Sequence, residues 1–563
     1  MTHRRPIAFL VLLSGLLLST CAAPDRAALL PTPAATAVAP TAATPIPLGQ
    51  TASIAGSASL AYELDTITVV QSRATAEFRH LPIPLIGAIA VPTGDGPFPV
   101  AMVLHGRHTR CYADAAQLEE VWPCPPGEEP RYDVGFAYLL DALAARGYLA
   151  VAPSINGAYT TAAGLNQPSL DETQLWVDER LAQIIAAHLE RLAAAGAGEP
   201  IFGQELVLTG QVDLSAVALV AHSTAGHTAN ALAREGTLPV RALFLLAPMR
   251  FAAAGTTADV TTTLLLSACD GDRPDLPGQG YFEDARLQSN RVTPLAAVVL
   301  SGANHNFYNT ELARQGNDDA RFGRNPDCVE RPPAEVQQAF LAAIVADHID
   351  AAFGRLAAPP PFLDPAAPTP TELYGRAAQV SLVVPSAERL VIFAPPATAD
   401  TPPSGATTGP LTVAVCPPDV ACSEGLLQPG RPGQLRLTWD EPGGVFRLPA
   451  PTGSAGYTTL RLRLAVDPLH PANTAAAPVA LSIALSDSAG NRAVVPLPAP
   501  LPLPPQSTYE SDGFRHTPVL PDDVRLPLAD FVGVNIAQLS TVELVFDATP
   551  AGSVLLADLE LWQ

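Results

Sequence analysis

Between residues 60 and 356, short apolar runs alternate with longer stretches whose apolar residues recur at helical spacing, and this alternation is the tightest constraint the chain places on its own fold. Residues 99–104 read as a buried strand, 136–146 as a helix and 148–152 as the next strand. Over 172–195, Leu175, Leu181, Ile184, Ile185, Leu189 and Leu192 fall near one helical face, and 217–220 returns as a strand. Further strands are expected at 242–246, 262–266 and 296–300, followed by a helix over 333–355. A strand, helix, strand order demands crossover connections. The pattern therefore predicts the α/β class, with a mostly parallel sheet covered on both faces and ligands bound beyond the strand C-termini.

The alternation stops on both sides. Residues 357–374 form a Pro/Ala-rich linker, and 375–563 carry short alternating runs such as 435–439 and 460–464, punctuated by Pro and Gly, with no convincing helix. That part is expected to be an all-β sandwich. At the other end, His3, Arg4 and Arg5 precede an apolar run over 7–18 that is short for a membrane span and reads as a secretory signal. The run ends at Leu18-Ser19-Thr20-Cys21, which resembles a bacterial lipobox, so 1–21 is expected to be a lipoprotein signal peptide with Cys21 lipidated. Cleavage near Ala22 and a retained anchor are the alternatives, and each places the folded part outside the cytoplasm. Residues 22–59, rich in Ala, Pro and Thr, are expected to be a disordered tether, which leaves 60–356 as the catalytic domain.

The six remaining cysteines suit an oxidising compartment, and pairing of nearest neighbours gives Cys111 with Cys124, Cys269 with Cys328 and Cys416 with Cys422. No Cys-x-x-Cys or nearby His spacing points to a metal site. The formal charge of −22 reflects 32 Lys and Arg against 54 Asp and Glu, a balance that argues against binding nucleic acid.

Chemistry is concentrated at three strand ends. Residues 217–220 run into Ala221-His222-Ser223-Thr224-Ala225-Gly226-His227 and then a helix over 228–234, so that a serine stands on a tight strand-to-helix turn. Alanines 221 and 225 occupy the places where such a turn usually carries glycine, leaving it strained rather than forbidden. After 262–266 come Asp270 and Asp272, either of which could be an orienting acid, and after 296–300 comes His305, a general base. Nucleophile, acid and histidine thus follow one another along the chain, each after a successive strand. His222 is expected to pack rather than react, His227 to be a core residue of the helix, and 154–157 to line the mouth of the site.

Together His105-Gly106, Ala221-His222-Ser223, Cys269-Asp270-Gly271-Asp272 and Gly302-Ala303-Asn304-His305 resemble the α/β-hydrolase superfamily, in its secreted esterase and lipase-like branches similar to chlorophyllases, platelet-activating-factor acetylhydrolases and dienelactone hydrolases. The resemblance spans about residues 60–355. It implies cofactor-free esterase or lipase chemistry on a small-molecule or lipid ester, with Ser223 as nucleophile and His305 as base. The spacing from a small strand-closing residue such as Ser267 in that superfamily implies Asp270 as the acid, with Asp272 the alternative acid. The resemblance further implies an oxyanion hole built from the backbone N–H groups of Thr224 and Arg107. The C-terminal region resembles carbohydrate-binding jelly-roll modules, which implies sugar contact only if aromatic residues such as Trp439 and Trp562 are exposed. Two competing readings are a catalytically inactive surface protein that binds through the β-sandwich, and a peptidase or acyltransferase using the same triad.

Overall fold

The computed structural model describes residues 46–563 apart from 73–78, 113–121, 161–169, 252–254, 322–327, 329–330, 397, 399–404, 419, 424, 431, 505–508 and 512–513. The expected signal peptide, Cys21 and the tether up to residue 45 lie outside the described residues. No described helix is long and apolar enough to cross a membrane.

Nine strands build the first sheet in chain order: β1 (Gln50–Ser53), β2 (Leu60–Val70), β3 (His80–Ala90), β4 (Phe98–Leu104), β5 (Leu149–Pro153), β6 (Val212–His222), β7 (Val240–Leu246), β8 (Thr261–Ser267) and β9 (Leu295–Leu300). Two later strands, β10 (Glu372–Leu373) and β11 (Arg376–Val383), complete it, giving the order β1-β2-β3-β5-β4-β6-β7-β8-β9-β11-β10. The segment β5-β4-β6-β7-β8-β9 is parallel, and its strands are nearly continuous apolar runs because both faces are covered. Six α-helices are present among the described residues: α1 (Ala137–Ala145), α2 (Leu170–Gly196), α3 (Ala225–Glu235), α4 (Gln279–Leu287), α5 (Thr310–Arg314) and α6 (Ala334–Ala352).

This architecture corrects the expected fold class. Strand accounts for 34% and helix for 21%, so the chain is mostly β with large mixed sheets, not the helix-rich α/β-hydrolase fold with a mostly parallel sheet that was predicted. The physical reason lies at the edges. The strands β1, β2 and β3 pair antiparallel with one another, β3 pairs antiparallel with β5, and β11 pairs antiparallel with β9. Apolar runs on an antiparallel edge look the same in sequence as those of a parallel centre, because the signal of periodicity carries no strand direction. Two boundaries also move. Gln50–Ser53 of the expected tether is strand β1, and residues 376–383 of the expected sandwich belong to the first sheet.

Beyond β11 the chain forms a six-stranded sheet around Gly552–Trp562, a five-stranded sheet around Leu539–Phe546 and a small three-stranded sheet. The first two enclose a core that includes Leu435, Leu437, Leu462, Ile483, Leu544 and Leu556. Trp439 and Trp562 are both buried and donate their indole N–H to Thr549 O and Glu560 Oε2, so neither offers a face to a sugar ring. Trp562 packs into the core of the first sheet with Val298, Leu300 and Val380.

Where the first sheet meets the C-terminal strands, charge is buried alongside apolar surface. Arg463 reaches Glu283 of α4 at 2.5 Å and Asp558 at 3.1 Å. Arg286 contacts both of these carboxylates, and Arg461 pairs with Asp523 at 2.9 Å and with Asp558. Burial alone would raise the Glu283 carboxyl, but Arg463 and Arg286 outweigh it and hold it below the ordinary range. Substituting Arg463→Met is expected to destabilise the full chain by about 3–5 kcal/mol, since two carboxylates would lose a buried partner. The loss should be greatest near neutral pH and shrink as acid protonates Glu283, because a depressed carboxyl stabilises the fold only while it is ionised. Urea unfolding at pH 7 and at acid pH measures both; equal midpoints for variant and parent at pH 7 would remove the network from the stability of the fold.

Candidate active site

The strand β6 ends at His222, and α3 begins at Ala225 with Thr224 as its N-cap, so Ser223 occupies the turn between them. Its φ of 56° lies in the left-handed region that a non-glycine residue adopts only under constraint. Three backbone bonds impose it. The Ser223 N–H donates to Leu246 O at 2.9 Å, and Ser223 O accepts from the N–H groups of Gly226 and Met249, each at 3.0 Å. Ala221 and Ala225 are fully buried against neighbouring elements, so the turn forms with alanine where glycine is usual.

Gly106, just past the end of β4, faces this turn. A Cβ at Gly106 would lie 2.9 Å from Ser223 Cβ, 3.2 Å from His222 Nδ1 and 3.3 Å from His108 Nε2, so only glycine allows the approach. The preceding residue holds the loop in place: His105 Nδ1 is 2.8 Å from Gly106 O, and His105 Nε2 accepts the N–H of Ile155 at 2.8 Å. Burial drives its pKa down to about 4, which keeps the ring neutral and able to fill both roles. Among the described residues, no acceptor bonds the backbone N–H of Arg107 or of Thr224, the residues that follow Gly106 and Ser223.

The acid and the histidine come from the ends of β8 and β9. His305 Nδ1 is 2.8 Å from Asp270 Oδ2, with both side chains almost wholly buried, while Asp270 Oδ1 accepts the Arg273 N–H at 2.6 Å. Asp272, the alternative acid, is 59% exposed and lies 3.8 Å from His305 Nε2, on the other side of the ring. Geometry thus gives Asp270 the orienting contact. Burial would lower the His305 pKa, but the charge of Asp270 and its hydrogen bond, with Asp272 and Asp319 adding to them, raise it to about 9. His305 Nε2 is buried without a hydrogen-bond partner among the described residues.

His222 brings the two halves together. Its ring centroid is 4.7 Å from that of His305, and His108 lies 5.9 Å beyond. Burial, reinforced by the neighbouring histidines, holds both His222 and His108 well below the ordinary imidazole range, so they form a neutral wall beside His305. His227 faces Asp178 and Phe251 from within α3. Asn156 and Ser154, in the segment expected to line the mouth, bond Glu129 at 3.2 and 2.6 Å, and burial raises that carboxyl to about 7.

No protein-family model matches this chain, and neither does any curated protein. Function has to be read from the site alone.

All three expected disulfides are present: Cys111–Cys124, Cys269–Cys328 and Cys416–Cys422. The first closes the loop that follows Arg107, and the second ties the residue before Asp270 to a segment beyond His305. Among the described residues, no group of three or more His, Cys, Asp or Glu side chains is arranged to hold a metal ion. Sequence reasoning passed over Tyr159, whose hydroxyl accepts from Thr224 Oγ1 at 3.1 Å, and Asp319, which bonds the backbone of both the acid and the histidine loops. Nothing in their spacing marks either one.

Proposed function

We propose that this protein is a serine hydrolase that cleaves carboxylic esters through an acyl-enzyme on Ser223. The observation that carries this reading is a strained serine on the turn after β6 whose neighbour His222 lies against the ring of His305, itself held by buried Asp270. Each element has a use in acyl transfer. His305 Nε2 takes the Ser223 proton as Oγ attacks the ester carbonyl, and Asp270 fixes the Nδ1–H tautomer and stabilises the imidazolium that forms. The carbonyl oxygen, now negative, sits between the N–H groups of Thr224 and Arg107, at the N-terminus of α3. Collapse of the adduct expels the alkoxide, which leaves as alcohol with the proton from His305. Water then repeats the sequence on the acyl-enzyme and releases the acid.

The three disulfides are compatible with an extracytoplasmic protein. We propose in addition that Cys21 carries a lipid anchor, on the strength of the residues that precede it.

A fluorophosphonate tests the site without knowledge of the substrate, because it phosphorylates an activated serine and loses fluoride. The purified full chain is expected to gain one adduct, mapping to the peptide that holds Ser223. Absence of labelling at neutral and at alkaline pH alike would leave the inactive binding protein as the better account.

A further inference from the structure

We infer that Asp319 is a positioning residue for the His305–Asp270 pair, joining through one carboxylate the two loops that carry them. The inference rests on the serine hydrolase reading and gives the pair a third member that contacts no reacting atom. Asp319 Oδ2 accepts the N–H of Gly271, next to Asp270, at 2.9 Å and the N–H of His305 itself at 3.0 Å. Oδ1 accepts the N–H of Asn306 at 3.0 Å. One buried side chain thus holds the backbone on both sides of the 2.8 Å contact between His305 and Asp270.

The surroundings show how closely the parts fit. A Cβ on Gly271 would lie 1.9 Å from Asp319 O, so the acid loop lies directly on the backbone of the residue that grips it. Ala320 packs with Cys269 and Cys328, which places the disulfide on the same short turn. The neighbouring Asp318 is committed elsewhere, bonding Asn304 Nδ2 at 3.0 Å and pairing with Arg331.

A buried acceptor of backbone N–H groups could be a neutral amide or a carbonyl, both of which are cheaper to desolvate than a carboxylate. A carboxylate adds something a carbonyl lacks. It places a further negative charge beside His305, in addition to those of Asp270 and Asp272, where a positive imidazolium forms during each proton transfer. The charged and titratable groups around His305 are Asp270, Asp272 and Asp319, with His222 and His108 held neutral beside it. Tyr308 and Arg273 stand beyond Asp270, and the Asp318–Arg331 pair lies behind Asp319. Asp319 is therefore both a geometric and an electrostatic support.

Full-length protein labelled with ¹⁵N-histidine allows the His305 titration to be followed by NMR, beside kcat and KM for a p-nitrophenyl ester across pH. In Asp319→Asn the His305 midpoint should move to lower pH and the acid limb of kcat/KM should move with it. Turnover should drop on the order of 10–100-fold with KM little changed, the size of loss that a misplaced catalytic group produces. Asp319→Glu keeps the charge but displaces the oxygens, so kcat should fall while the midpoint stays near that of the parent. An Asp319→Asn protein with the parental midpoint overturns the proposal, whether its activity is kept or lost. Should that variant not fold, an Asp319→Glu protein with parental kcat overturns it instead. If the parent hydrolyses no ester yet the midpoint shifts in Asp319→Asn, the hydrolase reading fails and the role of Asp319 beside His305 stands.

Discussion

Ser223→Ala is expected to reduce turnover of short p-nitrophenyl esters by roughly 10⁶-fold and to leave the fold unchanged. The size follows from the way such a unit works: without the nucleophile, the base and the oxyanion donors have nothing to act on. Stability should be unaffected for a separate reason. The bonds that hold Ser223 in its left-handed conformation come from its own backbone, through Leu246, Gly226 and Met249, and the hydroxyl has no protein partner among the described residues. Alanine keeps the Cβ that fits the turn. Its unfolding free energy should therefore lie within about 0.5 kcal/mol of the parent, the usual span of a change that breaks no contact. Activity in Ser223→Ala within tenfold of the parent, at matched stability, would end the mechanism proposed above.

Asp270→Asn should cost roughly 10³–10⁴-fold in kcat, and Asp272→Asn less than about tenfold. The two carboxylates lie within three residues of each other, yet one is buried on Nδ1 and the other is mostly exposed near Nε2. Asparagine at 270 can present its NH₂ to the ring and so favour the wrong tautomer, which points a proton at Ser223 instead of a lone pair. A pH profile adds a second reading. In the parent, kcat/KM should rise with pH through a midpoint near 9, because protonated His305 cannot accept the serine proton. Loss of the Asp270 charge should move that midpoint down, as burial would then act on the imidazolium with less to oppose it. The smaller Coulombic share of Asp272 predicts a smaller downward shift. A larger kinetic loss in Asp272→Asn than in Asp270→Asn would reverse the assignment of the acid.

Local structure was largely legible from residue pattern, and global class was not. The strands at β4 to β9 and the helices α1, α2, α3 and α6 fall within a few residues of where apolar spacing placed them, because burial on both faces or on one stripe leaves a direct imprint. Strand direction leaves no such imprint. Gln50–Ser53 lacks apolar alternation altogether and becomes a strand only because β2 offers it an edge. Ser223, Asp270 and His305 could be singled out as candidates because each follows a readable strand, whereas Asp319 lies in a short turn whose neighbours carry no pattern. The Trp439 and Trp562 side chains show the complementary limit: alternation placed them on strands without saying which face would be covered.

The burial of Trp562 in the same apolar core as Val298 and Leu300 bears on how the protein acquires its shape during synthesis. The strand β9, which leads to His305, has one neighbour from the preceding chain and another, β11, that is made much later. Until residues 376–383 arrive its outer edge is unpaired, and the core that Trp562 completes closes only with the end of the chain. Such an edge is the surface on which partly made chains associate with one another. A chain emerging in order would therefore need shelter from its own kind until residues 376–383 are in place, and the loop that carries His305 would find its permanent surroundings only after them.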